Sequence, residues 1–301
     1  MEERLKLKIL FVINHGSGSQ NIDWPNEIKN YFKPLDFTIE IFNLKKGFKI
    51  EDLKEKIEVF HPDQVVAVGG DGTINLIAEC ILRKNIKLGI LPAGSANGLA
   101  RELRISEIPA EALKTITNGI SKKIHVIKVN GNLCIHLSDI GFNAWMIKKF
   151  QAENVRGHWG YFKANLKVIW SILFVNTKIN VFLKLDNENI ETKSGMIVIA
   201  NAREYGSGAI INPTGSLEDD VFEVIVIKKI SVAEVFKMLV SHTPFNPQKT
   251  QVFKTKNLKI QLSKKMHFQV DGEYLGKVKE IEAYIIPAAI EIIVPSQTNS
   301  I

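Results

Sequence analysis

The sequence predicts an N-terminal doubly wound α/β domain followed by a mostly antiparallel β-sandwich domain. Three observations lead there. Strand-like and helix-like segments alternate through the first third of the chain. After Gly119 that alternation gives way to short runs of alternating polar and apolar residues. Two of the early strands run straight into small, glycine-rich turns, the place where open α/β sheets hold their ligands.

Taken in order, Leu7–Ile13 is a continuous apolar run, which suits a strand buried on both faces. The polar loop Asn14–Asn21 follows, then a helical pattern over Pro25–Phe32 and a second strand at Phe37–Phe42. Ile50, Leu53, Ile57 and Phe60 recur at helical spacing. Gln64–Val68 reads as a third strand, Ile74–Arg83 as a helix, Leu88–Leu91 as a fourth strand and Leu99–Leu103 as a short helix. This β-α-β-α order implies a parallel sheet covered by helices.

The second part reads as strands at Lys123–Val129, Leu133–Leu137, Ile179–Leu185, Ser194–Ala200, Phe222–Lys228, Asn257–Leu262, His267–Val270 and Ile290–Val294. Asn130-Gly131, Asp186-Asn187 and Asp271-Gly272 supply turn signals between several of them. Helical stretches interrupt at Tyr161–Phe174 and Val232–Leu239. The expected domains are 1–122 and 123–286, with a cleft between them as the default ligand site.

Composition narrows the function classes. The 301 residues are 45% hydrophobic and 24% charged, as in globular proteins. Lysine and arginine number 39 against 32 acidic residues, a net charge of +7 that favours anionic partners without choosing among phosphates, acidic lipids and nucleic acid. The basic residues are spread along the chain and not gathered on one element, so nucleic acid is not expected as a partner. Cys80 and Cys134 both sit in apolar runs, which argues against a disulfide framework and for a reducing cytoplasm. The start carries no secretory signal pattern. The longest nearly uncharged run, Val168–Val175, is far short of the roughly 20 residues that span a bilayer, so no transmembrane helix is expected.

The most informative stretch is Gly69-Gly70-Asp71-Gly72-Thr73-Ile74-Asn75, where a buried strand hands over to a helix. Glycines let the backbone approach a phosphate, and the N–H groups at the helix start face it with a favourable dipole. Asp71 would repel that phosphate, so its presence suggests a bridging magnesium ion or water. The spacing fits neither a P-loop nor the dinucleotide-binding fingerprint. Pro92-Ala93-Gly94-Ser95-Ala96-Asn97-Gly98 forms a second such turn after the next strand. Ser95 and Asn97 can donate to phosphate or ribose, or cap the following helix. Asn14, Gly16, Ser17 and Gly18, after the first strand, would wall the same site.

Together the Gly69–Thr73 turn, the Pro92–Arg101 stretch and Asp271-Gly272-Glu273 resemble the diacylglycerol kinase catalytic family, in its bacterial lipid kinase branch. NAD kinases share the first turn, whereas the second motif is more specific to lipid kinases. The resemblance implies an α/β nucleotide domain, a β-sandwich, and a chain end (287–301) that returns to the first domain. It implies ATP and Mg²⁺ as cofactors, with Asp271 as proton acceptor and Glu273 at the nucleotide site. A structural magnesium would sit on Asp219 with the carbonyls of Ser216 and Val221, although the branch's Asp-Asp-Gly here reads Glu218-Asp219-Asp220.

Three further positions depart from the family pattern. His15 stands for a proline, Leu44 for a threonine and His125 for an acidic residue. The expected function is therefore transfer of the γ-phosphoryl group of ATP to a lipid hydroxyl, with peripheral contact at the inner face of the membrane. An NAD kinase and a catalytically impaired nucleotide- or lipid-binding homologue are the alternatives. A homodimer is compatible with the sequence and not specified by it.

Overall fold

The computed structural model describes residues 6–16, 22–153, 178–204, 210–228, 234 and 246–296. The chain forms two compact units, Met1–Ile124 with Ala288–Ile301, and His125–Pro287.

The first unit is built on parallel strands β1 (Leu7–Ile13), β2 (Phe37–Asn43), β3 (Gln64–Gly69) and β4 (Lys87–Pro92), in the spatial order β4-β3-β1-β2. Between them lie α1 (Trp24–Phe32), α2 (Ile50–Phe60) and α3 (Asp71–Ile81), with α4 (Gly98–Glu102) and α5 (Pro109–Asn118) after β4. Asp23 starts α1 by accepting the Asn26 N–H at 3.2 Å, and Pro25 sits where its missing N–H has no helical partner to lose. Ile9, Phe11 and Ile13 face α1 and α5 in one core with Trp24, Ile28, Leu113 and Ile116. Strand alternation turns the equally buried Leu10 and Val12 the other way. The Phe32 ring meets Phe11 and Phe37 edge-on, each at 5.4 Å between centroids.

Helix α3 starts three residues before the expected Ile74, because Gly70 is its N-cap and its carbonyl accepts the N–H groups of Thr73 and Ile74 at 2.9 and 3.1 Å. Helix α5 was not legible as an element. Its buried face is only Ala112, Leu113, Thr115 and Ile116.

The connecting strand β5 (Ile120–Val129) leads into the second unit. There β6 (Asn132–Cys134), β7 (Leu137–Gly141), α6 (Phe142–Glu153), β8 (Ile179–Lys184), β9 (Asn189–Ser194), β10 (Met196–Ala200), β11 (Phe222–Ile227), β12 (Thr250–Thr255) and β13 (Asn257–Val270) follow, and β14 (Glu273–Val294) closes the chain. The order β12-β11-β10-β7-β13-β14 is antiparallel throughout, with β8 and β9 attached at β13 and β6 paired with β5. This is the mostly antiparallel β-sandwich that the alternating runs predict. Its core gathers Ile127, Leu183, Ile199, Phe222, Val224, Ile260 and Phe268.

Strand β14 is far longer than the expected Ile290–Val294. It runs 22 residues and ends beside β4 in parallel register, Glu291 with Lys87 and Ile292 with Leu88. Its first part was hidden because Lys277, Lys279, Glu280 and Glu282 mask the alternation. The expected helix Tyr161–Phe174 lies outside the described residues, as does Val232–Leu239 apart from Glu234. Among the described residues no helix is long and apolar enough to cross a membrane.

Candidate active site

In the first unit, the carboxyl ends of β1, β3 and β4 carry the residues singled out by sequence. The β3 and β4 turns touch backbone to backbone. A Cβ on Gly94 would lie 2.4 Å from the Gly70 Cα, so glycine is required there by close approach. A Cβ on Gly69 would fall 2.4 Å from the Thr73 hydroxyl. That hydroxyl accepts the Asn14 side-chain amide at 3.0 Å, which ties the β1 loop to the β3 turn. Asn14 Oδ1 in turn accepts the Gly16 N–H at 3.0 Å. Gly72 is exposed, and Asn75 is half-buried one turn into α3.

Asp71 is bonded within the protein. Its two carboxylate oxygens accept the N–H groups of Gly98 and Leu99, both at 3.0 Å. The aspartate of one turn thus caps the helix that leaves the other, satisfying two donors that the short helix cannot pair itself. Asn97 departs from expectation. It sits at φ 50° and is only 3% exposed. Its amide donates to Gly94 O and Glu107 Oε1, both at 3.0 Å, and its oxygen accepts the Gly94 N–H at 2.8 Å. Both amide hydrogens are therefore spent inside the turn, and Asn97 shapes the site without being a ligand donor. The main-chain N–H groups and the Ser95 hydroxyl remain the groups suited to an anion. Ser17 and Gly18 lie outside the described residues. At the end of β2, the Asn43 oxygen bonds the His15 imidazole Nε2 at 2.8 Å, and the Leu44 N–H donates to Ile13 O at 2.8 Å.

In the second unit, Asp271 and Gly272 form the β13–β14 hairpin turn with φ of 46° and 85°. The Asp271 carboxylate is heavily engaged. Oδ1 accepts the N–H groups of His136 and Leu137, both at 2.9 Å, and Oδ2 that of Ile135 at 2.7 Å. The Cys134 thiol adds a fourth contact at 3.6 Å. Burial, then the Asp271 carboxylate, push the Cys134 thiol well above its ordinary pKa, so it is an inert structural group. A second anchor holds the hairpin from below. Gln269 accepts the Gly272 N–H at 2.7 Å and donates to the fully buried Asp139 at 2.5 Å. Asp139 also accepts the Ala144 N–H at 2.9 Å at the start of α6. Two residues after Asp271, Glu273 is exposed.

The expected metal ligands lie on a turn before β11. Ser216 and Asp219 are half-buried, and the Ser216 carbonyl accepts the Asp219 N–H at 3.4 Å. Asp220 next to them is bonded by the Lys256 ammonium, which lowers its pKa. Among the described residues no three histidine, cysteine or acidic side chains gather to hold a metal ion. The donor set is oxygen, as magnesium requires, and the neighbouring Asp220 is paired with Lys256. One cavity of about 700 Å³ in this unit is lined by Glu191, Lys193, Lys279 and Glu280 among others. Val181, Phe182 and Leu262 also line it, so its walls are mixed in polarity.

Sequence reasoning missed Glu107, Asp139 and Gln269, which position site residues. Only Asp139, placed just before a helix, carried a local capping signal; Glu107 reaches back 10 positions to Asn97, and Gln269 joins the neighbouring Gly272 to Asp139, 130 positions away.

Residues 8–129 match the family described as diacylglycerol kinase catalytic domain, and residues 141–294 match the YegS C-terminal NAD kinase beta sandwich-like domain. A diacylglycerol kinase of Bacillus subtilis (strain 168) is 26% identical over 222 residues, 71% of this chain and 72% of that protein. One from Staphylococcus aureus (strain Newman) is 25% identical over 223 residues, 72% and 70% of the two chains. The crystal structure of a diacylglycerol kinase from Bacillus anthracis str. Sterne shares the fold with a TM-score of 0.71 at 19% identity, covering 97% of this chain and 98% of that one. An NAD kinase from Archaeoglobus fulgidus, solved in complex with ATP, is a more distant likeness at TM-score 0.56 and 15% identity, covering 97% and 95%. Matched in succession along one chain, these models show that the protein carries a diacylglycerol kinase catalytic domain followed by a sandwich domain, and that it belongs to the family of the YegS C-terminal NAD kinase beta sandwich-like domain.

Proposed function

We propose that the chain is an ATP-dependent lipid kinase that transfers the γ-phosphoryl group to the hydroxyl of diacylglycerol or a similar lipid alcohol. One observation carries the reading: the β3 and β4 turns are packed glycine against glycine and locked by Asp71, so their main-chain N–H groups form one pre-organised anion cradle. Phosphoryl transfer demands mainly positioned phosphates and charge neutralisation, which such a cradle supplies without side-chain chemistry. Gly70, Gly72 and Ser95 would hold the phosphates, while Gly69, Thr73 and Gly94, whose groups are packed or bonded within the turns, shape the backbone that presents them. Magnesium enters with the triphosphate as part of the substrate.

The proton of the attacking hydroxyl needs an acceptor. The bonds already made by Asp271 leave it poorly suited, and they suit it to positioning the hairpin. Exposed Glu273 is the carboxylate of that hairpin assigned to accept the proton. A lipid hydroxyl lies at the membrane interface, so the reading requires peripheral membrane association, which the net charge of +7 favours on an anionic leaflet.

The test is a labelled-ATP assay against mixed micelles of diacylglycerol, other lipid alcohols and, in parallel, NAD. Transfer to a lipid is the expected result. Transfer to NAD alone rejects the lipid reading, and ATP binding with no transfer to any acceptor identifies an impaired homologue.

A further inference from the structure

The acidic turn of the second unit is closed by its own bonds. Leu217 O accepts the His125 N–H at 2.8 Å, and Ser216 Oγ accepts the Glu218 N–H at 3.1 Å. Beneath it, Gly215 N–H donates to Asn212 O at 3.1 Å, and the Asn212 amide donates to the buried Glu223 carboxylate at 2.8 Å. The outer carboxylate, Asp220, takes the Lys256 ammonium.

Lys256 is not a free surface arm. Its N–H donates to Asp186 Oδ2 at 2.6 Å, and its carbonyl accepts the Ile285 N–H at 3.0 Å. The Asp186 carboxylate also receives the neighbouring Thr255 hydroxyl and Asn257 amide, both at 2.8 Å. The β12–β13 corner is thus fixed, and it presents one positive charge to the turn. The other strand against the turn, β5, contributes His125, whose imidazole lies within electrostatic reach of the same carboxylate. A hard divalent cation needs anionic oxygens free to face it, and basic neighbours repel it.

We infer that Lys256 takes the place of a divalent cation at this turn: its ammonium ties Asp220 to the β12–β13 corner, and residues 216–221 keep their conformation with no metal bound. The inference concerns the second unit alone and stands whether or not the chain transfers phosphate. Any divalent requirement of activity then resides with the nucleotide.

The experiment uses the full chain, nucleotide-free and stripped with EDTA. Mn²⁺ is titrated and followed by electron paramagnetic resonance, and hydrogen exchange of residues 216–221 is measured with and without MgCl₂. The expected result is no Mn²⁺ site that depends on Asp219, and exchange that ignores magnesium. Lys256→Met is expected to speed exchange of the turn about two- to five-fold, the range of an exposed ion pair, with Lys256→Arg restoring it. A Mn²⁺ site abolished by Asp219→Asn, or protection that rises with magnesium in the unmodified chain, overturns the inference. So does a Lys256→Met chain that exchanges as the unmodified one does. Mn²⁺ binding that survives Asp219→Asn lies elsewhere and upholds it. If Lys256→Met does not fold, the titration of the unmodified chain decides.

Discussion

Hydrogen-bond arithmetic assigns roles to the two carboxylates of the β13–β14 hairpin. An ionised carboxylate offers about four acceptor sites. Asp271 commits at least three to main-chain N–H groups of residues 135–137. In Asp271→Asn an NH₂ group would be turned against one of those donors, leaving a buried group unsatisfied at a cost of about 1–3 kcal/mol. The expected outcome is a lower melting temperature and faster exchange at 135–137. Glu273→Gln should melt as the unmodified protein does, bind ATP unchanged and lose roughly two orders of magnitude or more in kcat. The reverse result, with Asp271→Asn melting normally but inactive and Glu273→Gln active, would return the proton to Asp271.

Among the elements, the strand-to-helix turns of the first unit decide nucleotide binding. Gly94→Ala would set a Cβ 2.4 Å from Gly70 Cα and 2.8 Å from Asn97 Oδ1, and the first of these is backbone that cannot rotate away. Separating the turns also strains the Asp71 bonds to α4. Overpacking of this kind costs about 1–3 kcal/mol of stability, and because its relief moves apart the two turns that bind the phosphates, the ATP dissociation constant should rise. Calorimetric titration checks it, and unchanged affinity would remove the Gly70–Gly94 contact from the binding argument. These turns were legible in the sequence because each is a local signal, glycine after an apolar strand and before a helix. That they lie side by side follows from their neighbouring strands, but the Asp71 cap was not legible, since it reaches Gly98 across 27 positions. Asn97 differs in another way: its spacing fits a ligand donor, but its left-handed backbone and buried amide turn it inward on Gly94 and Glu107. Strand β14 escaped notice for a different reason. Its solvent face carries lysine and glutamate where one-sided burial allows them.

For the molecule as a whole, acid is expected to loosen the second unit, because His267, Asp186 and Asp220, each held below its ordinary pKa, all belong to it. Burial, then the charges of Lys277 and Lys148, keep His267 below its usual 6.5. Its Nδ1 lies 2.7 Å from the Tyr274 hydroxyl across the hairpin that carries Asp271 and Glu273. Asp186 is raised by burial, but hydrogen bonds from Asn257, the Lys256 N–H and Thr255 outweigh it. Lys256, through its bond and its charge, lowers Asp220. In each case the unfolded chain takes up a proton at a pH where the native chain still refuses it, so stability falls as pH falls. The histidine contribution is complete above 6.5 and is lost below it, and those of the two aspartates begin to be lost below 3.8. Melting temperature should therefore decline from neutral pH to about pH 5, with the β13–β14 amides losing protection after correction for intrinsic exchange. His267→Gln should flatten that first limb while leaving the later acid limb in place. A melting temperature that holds level or climbs from neutrality to about pH 5 would show that the imidazole is not held neutral by its surroundings.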